Sequence, residues 1–164
     1  RWDYPKWSKE YKTGEEAKAY IGYAGMKETK ALGTLDSVYV NVKGDKKGNL
    51  AEVVLAAGYT EGDMLLTETI EIFTEESQSS IHWAGIATFD VSGWGESFRK
   101  EEYTNKNGKT AAIVYEERTN EKERDRLMHG VLTEGAVCYE LILWYHPKDL
   151  KRAKEIMYEW CEQF

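Results

Sequence analysis

Two glutamates stand on apolar strand segments and are the residues best placed for acid–base chemistry. Glu68 interrupts an alternating apolar stripe in segment 64–73, and Glu140 does the same in segment 136–145. Burial on an apolar face disfavours the charged carboxylate and raises its pKa, which suits a general acid or base. Both residues are therefore buried-acid candidates for a small hydrolase or isomerase. A local bulge, a strand edge or a pair with a lysine or arginine would explain them structurally, and we favour that explanation.

A second candidate site is the basic start of the last predicted helix. Its members are His146, Lys148, Lys151 and Arg152, whereas glutamates occupy the end of the helix. This order opposes the helix dipole, because acidic side chains are favoured at a helix start and basic ones at its end. Basic side chains beside free backbone N–H groups would bind a carboxylate or phosphate. These four residues are the anion-binding candidates; the alternative, which we favour, is a solvated face stabilised by i,i+4 ion pairs.

Trp94 is the candidate for an aromatic contact with a ligand. It lies between two glycines, so its ring has the freedom to stack on a sugar or on a partner protein. A Trp buried at a tight turn is the alternative, and we favour it because large aromatic side chains contribute most when they are buried.

Signatures of other chemistry are missing from the sequence. The three histidines are scattered without the spacing of metal ligands, so neither a metal site nor a cofactor is predicted. No serine lies in a nucleophile elbow, and no glycine-rich loop carries the lysine of a phosphate-binding loop. Cys138 and Cys161 are the only cysteines, and we interpret them as two small buried thiols, with a bridge between them as the alternative.

Composition limits the class of protein. The chain has 164 residues, with 22 basic and 29 acidic side chains and a formal net charge of −7. One domain spanning 1–164 is the natural interpretation of this length. The acidic balance argues against a nucleic-acid partner, because phosphate binding needs a concentrated basic surface. No apolar run approaches the roughly 20 residues of a membrane span, and the expected partner is an unidentified protein or small ligand.

The elements that must position these residues are mostly strands. Alternating apolar residues predict the strands, and short polar turns between the first three predict an antiparallel meander. Asn107-Gly108 predicts a tight hairpin turn. Segments 75–80 and 120–126 are polar and are predicted to be loops. The predicted strands are 35–43, 50–59, 64–73, 81–91, 98–105, 109–118 and 136–145.

Helices are predicted near both ends of the chain. The hydrophobic period changes from two to between three and four at His146-Pro147, which predicts a terminal helix packed on a sheet. Thr13 with Glu16 resembles a capping box and predicts a helix near 14–29. The aromatic segment 1–12 is expected to be extended and docked on the body. The predicted buried stripe of the terminal helix is Leu150, Ala153, Met157, Trp160 and Phe164.

These elements predict an α+β fold with an antiparallel sheet of about seven strands. Segment 136–145 is apolar on both faces, so it is predicted to be a central strand covered on both sides, by the terminal helix and by the N-terminal helix or segment.

The last third of the chain resembles the PsbP-like fold. The residues that carry the resemblance are Gly108–Val114, Tyr139-Glu140-Leu141 and His146-Pro147-Lys148-Asp149 with the helix that follows. The resemblance implies an α/β/α sandwich. The family includes the extrinsic photosystem II subunit, a Ran-binding nuclear import factor and many exported bacterial proteins. No metal-binding or Ran-binding residue is carried over, because no position matches such a motif.

We expect a non-enzymatic binding or accessory domain of an exported or cell-envelope protein. The chain begins at Arg1 without a methionine, which a cleaved export signal would explain, as would a cloning boundary. An extracytoplasmic protein, secreted or attached as a lipoprotein, is therefore the expectation.

Two other functions remain open. A small hydrolase or isomerase would need Glu68 or Glu140 to titrate well above the normal range. A carbohydrate- or peptide-binding module would need at least three aromatic side chains exposed together on an open sheet face.

Overall fold

The protein is built on one antiparallel sheet. The computed structural model describes residues 7–11, 27, 29–30, 32–44, 50–87, 97–117 and 126–164. Within these ranges the sheet has eight strands in the order β1-β2-β3-β4-β8-β7-β6-β5. The strands are β1 Trp7–Tyr11, β2 Thr34–Gly44, β3 Leu50–Glu61, β4 Met64–Phe73, β5 Phe98–Thr104, β6 Thr110–Glu116, β7 Arg126–Glu134 and β8 Val137–Tyr145. The predicted α+β class and antiparallel sheet are confirmed.

Two meanders meet at the centre of this sheet. Strands β2, β3 and β4 pair in succession, as the short turns between them predicted. Strands β5 to β8 form a second run that begins at the far edge and returns to β4. The predicted central position of segment 136–145 is confirmed, because β8 lies between β4 and β7. Residues 7–11, in the segment predicted to be extended, pair as β1 with β2.

Helices make up the rest of the regular structure in the described ranges. They are α1 Glu76–Ala87, a 3₁₀ turn Pro147–Asp149 and α2 Leu150–Cys161. None of the described helices is both long enough and apolar enough to cross a membrane. The helix predicted near 14–29 falls almost wholly outside the described residues. For that reason, a sandwich with helices on both sides of the sheet stays a prediction.

The terminal helix packs as its apolar stripe predicted. Ala153, Met157, Trp160 and Phe164 are buried, and Leu150 is partly buried against the same core. We call the side of the sheet that meets α2 the first face; it carries the odd-numbered residues of β8 and the even-numbered residues of β4.

Gly130 on β7 shows how closely α2 approaches the sheet. A Cβ added to this glycine would overlap the sulfur of Met157, so the two could not coexist without movement. Gly130 adds no apolar side chain to the alternating pattern of this segment, so the sequence does not predict β7 as a strand.

The first helix corrects the sequence interpretation. Segment 81–91 was predicted as a strand and segment 75–80 as a loop, but α1 spans Glu76–Ala87. Ser79 is fully buried, and its hydroxyl donates to the main-chain oxygen of Gly135 at 2.5 Å, which ties α1 to the β7–β8 turn. A short apolar run is compatible with either a strand or a helix. Here the segment is a helix, and it contacts β4, β6, β7 and β8.

The hairpin predicted at Asn107-Gly108 is confirmed. Gly108 has a φ of 79° and donates its N–H to the main-chain oxygen of Asn105 at 3.0 Å. Among the described residues, positive φ is confined to glycines, so Asn107 does not take the left-handed conformation. The turn therefore places two residues of negative φ, Lys106 and Asn107, before one glycine of positive φ.

This hairpin holds the end of α2. Asn105 is 5% exposed, and its side-chain amide donates to the main-chain oxygens of Cys161 at 2.8 Å and Phe164 at 3.0 Å. The amide of Asn107 donates to the same Phe164 oxygen at 2.8 Å. We call these three hydrogen bonds the clasp. The bond to Cys161 supplies a donor to a carbonyl group at the C-terminal end of α2, which has no partner within the helix. The two bonds to Phe164 hold the residues that follow the helix.

The two cysteines are free and buried, which confirms their interpretation as small buried thiols. Cys138 lies on β8 among the even-numbered residues, on the side of the sheet away from α2, which we call the second face. Cys161 lies on α2 above the first face. The sheet therefore separates the two thiols.

Candidate functional site

An open groove of about 850 Å³ follows α2 and is the candidate site. We call it the α2 groove. Its wall combines aromatic rings with side chains of both charges, while Ile156 and Trp160 lie beneath it as part of the core. The residues that define it for the argument are Lys30, Tyr103, Lys106, Arg152, Tyr158 and Glu162.

Two tyrosines form the flat part of the wall. The rings of Tyr103 on β5 and Tyr158 on α2 stack with their centroids 4.6 Å apart and their planes 16° apart. Tyr158 donates its hydroxyl to Glu101 at 2.5 Å, and Tyr103 donates to Glu162 at 2.7 Å. These bonds fix both rings in one orientation. A fixed aromatic surface loses little conformational entropy when a flat ligand packs on it.

Both phenols stay protonated near neutral pH. The pKa of Tyr158 is raised by burial and by its bond to Glu101. The pKa of Tyr103 is raised chiefly by its bond to Glu162, whose own pKa is lowered by that bond and by the backbone N–H of Lys106. Neutral phenols that already donate to carboxylates are suited to contact and orientation rather than to proton transfer.

The cations of the groove differ in what they already bind. Arg152 donates to Glu61 at 2.6 Å and also lies near two glutamates of its own helix. Within the described part of the chain, the ammonium of Lys30 has no ion pair, and the ammonium of Lys106 acts on the Glu162 carboxylate only at longer range. Lys30 and Lys106 are therefore the cations that remain available to an incoming anion.

The segment before β2 contributes Lys30, Leu32 and Gly33 to the groove wall. The backbone N–H of Lys30 donates to the side-chain oxygen of Gln163 at 2.6 Å. The backbone N–H of Lys27 donates to the hydroxyl of Tyr139 at 2.7 Å. These bonds tie the segment both to the end of α2 and to the central strand. The part of the groove wall that comes from this segment is thus held to α2 and to β8.

The four anion-binding candidates from the sequence do not all reach this groove. Arg152 lies in its wall, whereas Lys148 and Lys151 are exposed and His146 is half-buried outside it. The structure brings Arg152 next to three carboxylates instead of next to the other three candidates.

Glu68 lies beneath α2 on the first face and is 2% exposed. It sits in regular pairing with Ala57 of β3 and Leu141 of β8. Its carboxylate accepts a hydrogen bond from the hydroxyl of Thr29 at 2.5 Å and another from the indole N–H of Trp160 at 2.7 Å. Burial raises the pKa of Glu68, although these two bonds act against that shift.

The raised pKa of Glu68 predicts a pH dependence of stability. An acid whose pKa is higher in the folded state binds more protons there, so the free energy of unfolding falls as pH rises above its ordinary value of 4.5. We expect Glu68→Gln to unfold at higher urea than the parent at neutral pH, because the amide keeps an acceptor for Trp160 and a group for Thr29.

The comparison must be made across pH. The advantage of Glu68→Gln is expected to shrink as pH falls toward the ordinary pKa of a glutamate. Glu102→Gln, at an exposed position, is the control for the loss of one acidic group. A difference between Glu68→Gln and the parent that is the same at every pH would contradict the prediction.

Glu140 lies on the second face and is 7% exposed. The nearer ring nitrogen of His129 is 3.4 Å from its carboxylate. Cys138 stands on the same face, but burial and nearby glutamates raise its pKa far above the normal range. A thiol that does not ionise is not a nucleophile. Cys138 therefore does not act as a nucleophile beside this histidine–glutamate pair.

Other sequence candidates fall outside the site or outside the described residues. Trp94 and the side chain of His82 belong to the undescribed part. In the described ranges, no three His, Cys, Asp or Glu side chains are grouped as metal ligands. Large aromatic side chains exposed in those ranges are Tyr39 and Trp144, which lie on strands three apart in the sheet order.

Sequence reasoning missed most of the groove. Tyr103 and Tyr158 come from an edge strand and a helix that are distant in sequence, and Lys30 comes from a third segment. No local spacing joins them. The one signal in the sequence is Tyr103, because an aromatic side chain in a strand of mostly charged residues needs a neighbour to cover its ring.

Comparison with known proteins gives no match to a family model, to a curated protein or to a solved structure.

Proposed function

We propose that this protein is a non-enzymatic binding domain whose site is the α2 groove. The ligand is a small organic molecule with a flat apolar body and an acidic group. The stacked Tyr103–Tyr158 wall beside the cations Lys30 and Lys106 carries this proposal. A volume of about 850 Å³ lies within the range of small-molecule sites.

The chemistry of the groove supports binding rather than catalysis. Its tyrosines are neutral and already donate to carboxylates, and its arginine is paired with Glu61. A ligand that packs on the rings and places its acidic group between the two lysines would leave these contacts intact. Such preorganised walls favour affinity because little has to be ordered on binding.

A small hydrolase or isomerase that uses Glu68 is the second candidate. Its support is the raised pKa of that carboxyl group. In this structure the two oxygens of Glu68 are occupied by Thr29 and Trp160, so a substrate would have to displace one of them. The binding function predicts that Glu68→Gln retains ligand affinity.

Location and family remain proposals that rest on the sequence. The PsbP-like resemblance of the last third supports an accessory role in an exported or cell-envelope protein. The antiparallel sheet with a terminal helix on its first face is compatible with that resemblance.

A fluorescent aromatic sulfonate, anilinonaphthalene sulfonate, is a suitable probe because it joins a flat apolar body to an anion. We expect saturable binding to the folded parent. The double variant Lys30→Ala with Lys106→Ala is expected to bind about tenfold more weakly, which corresponds to about 1.4 kcal/mol.

The matched control is Lys148→Ala with Lys151→Ala, which removes the same charge from exposed positions outside the groove. It is expected to bind as the parent does. Equal affinity of the parent and both double variants would contradict a site in the α2 groove, provided that all three unfold at similar urea concentrations.

A further inference from the structure

The tip of the β5–β6 hairpin carries a chemically labile pair. Asn107-Gly108 is the one asparagine–glycine sequence in the 164 residues. Both residues are exposed in the folded protein. Glycine leaves its own backbone nitrogen unhindered, because it has no side chain to block the approach to the asparagine before it.

The reaction available to such a pair is deamidation. The backbone nitrogen of Gly108 attacks the side-chain carbonyl carbon of Asn107, forms a C–N bond and loses its proton, and ammonia leaves. Water then opens the resulting five-membered imide to aspartate or isoaspartate. Water is the only co-reactant, and no oxidant or reductant is needed.

Hydrogen bonds restrain both reacting groups in the folded protein. The N–H of Gly108 donates to the main-chain oxygen of Asn105 at 3.0 Å. The leaving amide of Asn107 donates to the main-chain oxygen of Phe164 at 2.8 Å, as part of the clasp. The backbone N–H of Asn107 is held in turn by the side-chain oxygen of Asn105 at 3.0 Å. Attack requires these bonds to open together, so the rate follows local opening of the hairpin from α2.

We propose that Asn107 is a site of spontaneous deamidation and that the clasp controls its rate. The product weakens the clasp in return. Aspartate at this position offers an acceptor where the amide offered a donor to Phe164. Its negative charge also lies in the same turn as the backbone N–H of Lys106, which binds the Glu162 carboxylate. Isoaspartate adds a methylene to the main chain of a turn whose hydrogen bonds depend on its length.

Peptide mass mapping of aged protein tests the rate. In mildly alkaline buffer, conversion of Asn107 is expected to be at least about tenfold slower in the folded protein than in a synthetic peptide of residues 103–111, because the clasp must open first. Urea below the unfolding transition is expected to accelerate conversion in the protein more than in the peptide. Equal rates in protein and peptide, or no response to urea, would overturn control by the clasp.

The consequence is tested with variants that need no ageing. Asn107→Asp reproduces one product, and Asn107→Gln keeps an amide while moving it out of reach of the imide geometry. We expect Asn107→Asp to lower the Tm by roughly 2–4 °C relative to Asn107→Gln. An equal Tm for the two variants would refute the claim that deamidation weakens the clasp.

Discussion

Replacing Trp160 with alanine is expected to lower the free energy of unfolding by about 3–5 kcal/mol, the range for deleting a core aromatic. Trp160 is 0% exposed and is the largest of the fully buried side chains in the described ranges. Its ring meets that of Phe164 edge-on with centroids 5.1 Å apart. The substitution also removes the indole N–H from the buried Glu68 carboxylate, and an acceptor left without a partner adds to the loss. Urea unfolding monitored by circular dichroism measures it.

Two further tryptophan variants make this test specific. Trp144→Ala removes a side chain that is 44% exposed on β8, and we expect it to cost less than about 1 kcal/mol. Trp160→Phe keeps most of the buried surface but not the N–H, so its effect should lie between the other two. A loss below about 1 kcal/mol for Trp160→Ala would contradict the packing of α2 on the sheet.

Asn105→Ala is the second large expected effect, at about 2–4 kcal/mol, because a buried side chain is lost and its four hydrogen-bond partners lose a bond at once. The Asn105 side chain donates to Cys161 and Phe164 and accepts from the backbone N–H groups of Asn107 and Lys109. It therefore joins the hairpin turn and the end of α2. The same urea experiment measures the change in unfolding free energy.

Asn107→Ala is the matched control for this variant. Asn107 is exposed and contributes a single clasp bond, so its loss should cost about 1 kcal/mol or less. If the two alanine variants are equally stable, the clasp does not depend on the buried amide of Asn105.

Much of the sheet could be predicted from sequence because its strands show strong local signals. Alternating residues in β2, β3 and β4 and the asparagine–glycine turn after β5 report their own conformation. The stripe of α2 does the same, since a period between three and four has one explanation. These signals depend on neighbours in the chain, and the structure agrees with them.

The elements that were wrong or missed depend on distant contacts. In α1, Ser79 is anchored by Gly135, which lies beyond three further strands in sequence. In β7, Gly130 makes room for Met157 of α2 and so interrupts the apolar pattern. Neither partner can be identified before the fold is known.

The candidate site shows the same division between local sequence signals and distant contacts. Glu68 and Glu140 could be named because an acid on an apolar strand is a local anomaly, and both are buried. Their partners, Trp160, Thr29 and His129, come from other elements. The α2 groove draws its wall from four separate stretches of the chain, so its composition follows from tertiary packing and not from any motif.

A backbone amide NMR titration of the parent with anilinonaphthalene sulfonate tests the binding site most directly. If the α2 groove is the site, the largest shift changes will fall on Lys30, Lys106 and residues 152–163. Changes centred instead on Leu65 and Trp144, the exposed apolar pair that face each other across β4 and β8, would contradict the proposed site. So would the lack of any saturable change.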